Sequence, residues 1–209
     1  MTNETLIASL KDSGAIRSAT VEVAFRAIDR ARFVTEELQP LAYADTVLPI
    51  GEEQTISQPT VVAFCLEWLQ ARTGDRVLDV GSGSGWTTAL LAYLVGPTGL
   101  VIGIERVPAL VAFGSKNLSA YAFTHAHIEQ AGNELGKYGA APFDRILVSA
   151  STDEVPETLA QQLADNGRMV ISVRNAICVV DRTGDQFKVA RHEGFVFVPL
   201  ITEAYAGKN

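Results

Sequence analysis

Residues 76–95 restrict the fold more than any other stretch of the chain. Arg76-Val77-Leu78-Asp79-Val80 is a short, mostly apolar run, Gly81-Ser82-Gly83-Ser84-Gly85 follows at once, and Trp86 to Val95 then has helical composition. An apolar run of that length, closed by glycine, reads as a buried strand. Glycines at alternate positions let the chain turn sharply and let a ligand approach the backbone. The helix opening at Trp86 offers unpaired N–H groups at its start. A turn at Gly96-Pro97-Thr98-Gly99 leads to a second apolar run, Leu100 to Ile104, which ends in Glu105.

The alternation continues to the end of the chain. Val107 to Leu118 has helical spacing, and His125 to Ala131 and Arg145 to Ser149 read as strands. A helix is expected around Glu157 to Leu163, a strand over Met169 to Val173, and a hairpin of Ala176 to Asp181 with Gln186 to Arg191 across Thr183-Gly184. Phe195 to Leu200 reads as a closing strand. Strand and helix in alternation predict a doubly wound, mostly parallel sheet with helices on both faces, and the late hairpin adds an antiparallel strand at one edge.

The first 70 residues read differently, as a helical extension packed on a core of residues 71–209. Leu6, Ile7 and Leu10 make one apolar face, and Val21, Ala24, Phe25 and Ile28 make another. Leu41 to Thr55 has no period and contains Pro49 and Gly51, so it reads as a long loop, which in a compact protein is usually functional. Ser57 is a candidate N-cap for a helix with Pro59 just inside its start. Val61, Phe64, Cys65 and Trp68 then form a core stripe, and Gly74-Asp75 ends the helix.

A net charge of −7 argues against a chain that tracks nucleic-acid phosphates. Cys65 and Cys178 both lie in apolar runs, as small core residues do. Met1-Thr2-Asn3-Glu4 lacks the basic and apolar regions of a secretory signal, and no apolar run reaches about 18 residues, so a cytoplasmic protein off the membrane is expected. His125 and His127 share a strand face but have no further ligands nearby in sequence, so no metal is implied.

Two cofactors suit a glycine loop followed by an acidic residue at the end of the next strand. In dinucleotide enzymes the loop reads G-x-G-x-x-G and cradles a pyrophosphate. Here the third glycine, Gly85, comes one position early, and Asp79 stands two residues before Gly81. A carboxylate there repels a pyrophosphate and suits the cationic amino-acid end of S-adenosylmethionine. Glu105, 24 residues beyond Gly81, can accept hydrogen bonds from both hydroxyls of an adenosine ribose. The Asp-x-Gly-x-Gly-x-Gly pattern also resembles that of class I methyltransferases.

Leu48-Pro49-Ile50-Gly51-Glu52-Glu53-Gln54-Thr55-Ile56-Ser57-Gln58-Pro59 sharpens the match. It resembles the signature of the protein-L-isoaspartate O-methyltransferase family, whose core reads Gln-Thr-Ile-Ser-Gln-Pro. Arg32-Phe33-Val34, Glu105-Arg106, Ala141-Pro142-Phe143-Asp144-Arg145-Ile146 and Phe197-Val198-Pro199-Leu200 agree in order and spacing, so the likeness runs from about residue 5 to about residue 203. It implies a Rossmann-like methyltransferase that uses S-adenosyl-L-methionine, releases S-adenosyl-L-homocysteine, and esterifies the α-carboxylate of L-isoaspartyl residues in damaged peptides or proteins.

By the same resemblance Ser57 carries the active-site hydroxyl and meets both cofactor and substrate. Thr55 and Ile56 border the cofactor, Asp79, Gly81, Ser82, Gly83 and Gly85 form its loop, and Glu105 with Arg106 holds its ribose side. Asn133 and Glu134 lie where the family contacts adenine, and Val198, Pro199 and Leu200 line a peptide groove. Departures collect near adenine and acceptor. Gly132-Asn133-Glu134 replaces Gly-Asp-Gly, Glu53 stands where bacterial members often have glycine, and Val196 replaces a common arginine. These changes mark a divergent member and keep two alternatives open: a tailoring enzyme for normal aspartate in peptides, and a non-catalytic chain that only binds the cofactor.

Overall fold

A computed structural model describes residues 1–195. Its centre is a seven-stranded sheet. In chain order the strands are β3 (Arg76–Val80), β4 (Leu100–Glu105), β5 (Ala126–Gln130), β6 (Phe143–Thr152), β7 (Leu163–Val173), β8 (Ala176–Thr183) and β9 (Gln186–Glu193). Their spatial order is β5-β4-β3-β6-β7-β8-β9, parallel from β5 to β7, with β8 antiparallel to both neighbours. The antiparallel strand is thus one in from the edge. After β5 the chain returns past β3 to lay down β6, and ligands gather at the carboxyl ends of strands beside such a reversal.

The side-chain period of two explains why the first strands were legible. Val77 and Val101 enter one core cluster, while Leu78, Val80, Ile102 and Ile104 enter the cluster on the opposite face. Helices α4 (Trp86–Val95) and α5 (Pro108–Ser119) connect β3 to β4 and β4 to β5. Helices α1 (Asn3–Asp12), α2 (Ala19–Ala27) and α3 (Pro59–Leu69) add Leu6, Ile7, Leu10, Phe25, Leu66 and Leu69 to the first cluster. Phe25 of α2 meets Trp86 of α4 edge-on at 5.5 Å between ring centroids. Among the described residues no helix is long and apolar enough to cross a membrane.

Among the described residues the opposite face carries a single short α-helix, α6 (Glu157–Ala160). The helix expected as far as Leu163 stops early because Leu163 already pairs with Phe143 at the start of β7. The buried stripe of α3 is Val62, Cys65, Leu66 and Leu69, so Val61, Phe64 and Trp68 are only half-buried. Trp68 instead stacks on His192 at 4.0 Å. That helix ends at Leu69, with Gln70 left-handed, rather than at Gly74. Cys65 and Cys178 are buried and free. The strand expected over 195–200 falls, beyond Phe195, outside the described residues, as does Val196.

The long loop read over Leu41 to Thr55 is partly ordered as a hairpin, β1 (Leu48–Gly51) with β2 (Gln54–Ile56). Its tip is Glu52-Glu53, at φ +52° and +57°. A two-residue hairpin turn favours Asn-Gly because both residues need positive φ, so a pair of glutamates hid it. Glu53 therefore occupies the backbone state that makes glycine natural at this position, at a cost of roughly 1–2 kcal/mol.

Candidate functional site

The carboxyl ends of β3, β4, β5 and β6 open into a cavity of about 390 Å³, lined by Gly81, Glu105, Gln130 and Ser149 from the strand ends and by Ile50 and Thr55 from the hairpin. That volume lies within the roughly 300–1,000 Å³ of small-molecule sites. A smaller hollow of about 40 Å³ adjoins it, shares Thr55, Gly81, Gly83 and Ser149, and adds Ser57, Ser84 and Thr87 at the start of α4.

The three loop glycines do three different jobs. Gly81 has φ +77°, and a Cβ built on it meets nothing within 4 Å. Gly81 lines both hollows, so that open space is continuous with them. Gly83 has φ +52°, donates its N–H to Glu105 Oε2 at 2.9 Å, and has Ile50 Cδ1 at 3.3 Å from a built Cβ. Gly85, at φ +87°, packs against the backbone of α5, where a Cβ would stand 2.9 Å from the Gly114 carbonyl oxygen. Gly81 and Ser82 both donate N–H bonds to the Ile104 carbonyl, which ties the loop to β4.

Glu105 is 7% exposed and already busy. Besides Gly83, it accepts from the backbone N–H groups of Arg106 at 2.7 Å and Val107 at 2.9 Å. A carboxylate has about four acceptor positions, so about one is left for a ligand, fewer than the two ribose hydroxyls expected from the sequence. Arg106 lines the cavity with an exposed side chain, and its carbonyl accepts from Gln130 Nε2.

Asp79 is fully buried and lines neither hollow. Its Oδ2 accepts from Thr87 Oγ1 at 2.7 Å and Thr88 Oγ1 at 2.6 Å, while Oδ1 has no partner. Burial pushes its carboxyl up from 3.8 to about 6, against the pull of the Thr88 and Thr87 hydroxyls and with a small push from Glu105. The folded chain therefore holds a proton that the unfolded chain has released between about pH 4 and pH 6, and stability falls as pH rises through that window. The total is on the order of 3 kcal/mol. Asp79→Asn should remove this dependence. Urea unfolding at pH 4 and pH 7 is expected to show the variant gaining on the native chain by that order at the higher pH. An equal difference at both values would contradict the assignment.

Ile56 is buried, and Thr55 and Ser57 are half-buried beside the loop. The N-cap reading of Ser57 needs correction, because the residue before α3 is Gln58 and no side chain of its own caps the helix. Asp45 does so from across the fold, with Oδ1 accepting the Thr60 N–H at 2.8 Å and Oδ2 accepting Thr60 Oγ1 at 2.7 Å. Ser57 lines the smaller hollow, and among the described residues its hydroxyl has no hydrogen-bond partner.

Asn133 and Glu134 line the larger cavity and are exposed at its rim. Glu134 is not at positive φ, so replacing a glycine there strains nothing in the backbone. Gln162, which the sequence did not single out, holds this rim in place. It is 1% exposed, donates to the Leu135 carbonyl at 2.9 Å and accepts the Lys137 N–H at 2.7 Å. Between those two, Gly136 at φ +90° leaves no room for a Cβ beside the Gln162 amide. Val198, Pro199 and Leu200 lie outside the described residues.

Residues 1–205 match the family model described as Protein-L-isoaspartate(D-aspartate) O-methyltransferase. The chain belongs to that family. A protein-L-isoaspartate O-methyltransferase of Methanopyrus kandleri is 43% identical over 206 residues, covering 96% of this chain and 91% of the relative. One of Anaeromyxobacter dehalogenans is 47% identical over 192 residues, covering 88% and 90%. A crystal structure of the Plasmodium falciparum protein described as a protein-L-isoaspartate O-methyltransferase, in complex with S-adenosyl-L-homocysteine, superposes with a TM-score of 0.87 at 28% identity, covering 96% of this chain and 99% of that one. At 43% and 47% identity over nearly the full length of these relatives, the chain does not stand out as the divergent member of the isoaspartate methyltransferase family that the sequence suggested.

Proposed function

We propose that this chain transfers a methyl group from S-adenosylmethionine to the free α-carboxylate of L-isoaspartyl residues in peptides or proteins, acting in the cytoplasm. The observation that carries the reading is the pair of joined hollows, one floored by Gly81 and Glu105, the other opening on an unpartnered Ser57 hydroxyl. Membership of the isoaspartate methyltransferase family supports the reaction, and the S-adenosyl-L-homocysteine bound by the Plasmodium relative supports the cofactor. Residues 1–70 act as a helical extension that covers the core of residues 71–209 and supplies the hairpin and Ser57.

The residues present fit the cofactor. Gly81 leaves open space where a Cβ would stand, Glu105 keeps about one acceptor position for a ribose hydroxyl, and a cation above the loop would favour the ionised form of the buried Asp79. Thr55, Ile56 and Arg106 flank the same space, Ser82, Gly83 and Gly85 give the loop its shape, and Asn133 and Glu134 meet the adenine at the rim. When bound, the cofactor supplies a methyl group on a sulfonium. A carboxylate is already a nucleophile at neutral pH, so the chain needs neither a general base nor a metal, only alignment and exclusion of water. Ser57 donates its hydroxyl hydrogen to the acceptor carboxylate and fixes its orientation, while Val198, Pro199 and Leu200 line the peptide.

Methyl transfer from labelled S-adenosylmethionine to paired peptides, one with isoaspartate and one with aspartate at the same position, tests the reading. Labelling of the isoaspartyl peptide alone is the expected result. Labelling of the aspartyl peptide alone would assign the chain to peptide tailoring, and labelling of neither would sink the proposal.

A further inference from the structure

Among the described residues Arg30 is the largest fully buried side chain, 1% exposed, and its hydrogen-bond partners there are all carbonyls. It sits in the single turn Arg30–Phe33 that follows α2. Its Nη1 donates to the carbonyls of Ala42 at 2.7 Å and Ala44 at 3.3 Å, and its Nη2 to those of Thr46 at 2.9 Å and Ser57 at 3.0 Å. Nε has no partner, and Cζ lies 5.2 Å from the centroid of the Trp86 ring at the start of α4. Burial draws the guanidinium down to about 10, partly offset by Asp45.

A buried charge whose hydrogen bonds all go to carbonyls is a poor stabiliser, since apolar groups of the same volume usually fill such a space at lower cost. What the guanidinium does, and no apolar group can, is tie one peptide plane to several others. Here the tied planes are those of residues 42, 44 and 46 and that of Ser57. Asp45, inside the same loop, grips Thr60 through two hydrogen bonds and Gln58 Nε2 through a third at 3.2 Å. The segment 57–60 is thus held at both ends by one loop, and that loop is folded around Arg30. Fixing the Ser57 carbonyl fixes the orientation of its peptide plane, and with it the backbone from which the hydroxyl projects.

We propose that Arg30, with Asp45 holding the far end of the same segment, is a positioning residue that aims the Ser57 hydroxyl at the acceptor carboxylate. The inference rests on the functional reading of Ser57 given above. Misplacing a reacting or orienting group by about 1 Å costs on the order of 100-fold in rate, so Arg30→Lys, which keeps the charge and loses the fork, should lower kcat by about 10- to 100-fold. Affinity for S-adenosylhomocysteine should stay within about twofold, because Arg30 lines neither hollow.

The deciding measurement is a double-mutant cycle with Ser57→Ala, read as kcat on the isoaspartyl peptide. If Arg30 acts through Ser57, Arg30→Lys has almost no further effect once the hydroxyl is gone. An equal loss in both backgrounds, or full activity of Arg30→Lys, would overturn the inference while leaving the methyltransferase reading intact. Should Arg30→Lys fail to fold, Asp45→Asn at the exposed end of the clamp runs the same cycle with the same two outcomes. A native chain inactive on both peptides would instead remove the functional reading, and this inference with it.

Discussion

Gly81→Leu is expected to give a folded chain whose affinity for S-adenosylhomocysteine is lower by about 100-fold, or about 2.7 kcal/mol. The expectation follows from what surrounds the position. Among the described residues, chain neighbours aside, no atom lies within 4 Å of a Cβ built on Gly81, so a leucine there is expected to displace ligand and not protein. The fold still bears a cost, since φ is +77° and a left-handed residue with a side chain loses roughly 1–2 kcal/mol. For a chain of this length that corresponds to a fall in Tm of roughly 2–8 °C. Leucine is chosen because a β-branched residue at positive φ would confuse strain with blockage. Titration calorimetry with S-adenosylhomocysteine, beside a thermal melt of the same preparation, separates the two effects. Unchanged affinity in a folded variant would mean that the cofactor lies elsewhere.

Gly83, which a reading of the loop alone would choose first, is the poorer test. Its N–H is held by Glu105 and its missing Cβ faces Ile50 of the hairpin. Gly83→Val would press on the Ile50 side chain of the hairpin, so a loss of binding there could not be credited to contact with the ligand.

The contrast between these glycines shows what the sequence could convey. Arg76–Val80 and Trp86–Val95 were legible to the residue because strand, turn and helix there each answer to local rules: apolar run, glycine, helical spacing. Local rules also gave the α1 and α2 faces, where Leu6, Ile7, Leu10, Val21, Ala24 and Phe25 are all buried. The errors fell where a group answers to something distant. Ser57 looked like a cap because the true cap, Asp45, is 15 residues from the Thr60 it serves. The hairpin was missed because its turn is Glu-Glu, whose positive φ no propensity announces. Arg30 and Gln162 carry no local signal in the sequence, and each is 1% exposed with partners that are carbonyls and N–H groups of other segments. A polar side chain in a sequence does not say whether water or backbone will satisfy it, and at this site backbone does so repeatedly.

Gly114 belongs with these distant partners and sets helix propensity directly against packing. In an exposed helix, glycine to alanine is favourable by about 1 kcal/mol, so propensity alone predicts that Gly114→Ala stabilises α5. Packing predicts the reverse. A Cβ at Gly114 would stand 2.7 Å from the Gly83 carbonyl oxygen, 3.2 Å from the Ser84 carbonyl carbon and 3.0 Å from Ile128 Cδ1. Two of those three atoms are backbone of the glycine loop, and that loop cannot retreat. Its Gly81 and Ser82 N–H groups are tied to Ile104, its Gly83 N–H to Glu105, and its Ser84 carbonyl to Asn117 Nδ2 at 3.0 Å, one turn further along α5. Overpacking against rigid neighbours costs about 1–3 kcal/mol and sometimes more. The clash therefore outweighs the helix gain, and a net loss of about 2 kcal/mol, or roughly 4–8 °C in Tm, is expected. Cofactor affinity should fall too, because whatever relief the loop finds must move Gly83 relative to Glu105. Gly139→Ala serves as the control, since nothing lies within 4 Å of a Cβ there, and its melt should shift by no more than about 0.5 kcal/mol. If Gly114→Ala melted above the native chain, helix propensity would have won, and the close approach of α5 to the glycine loop would be wrong.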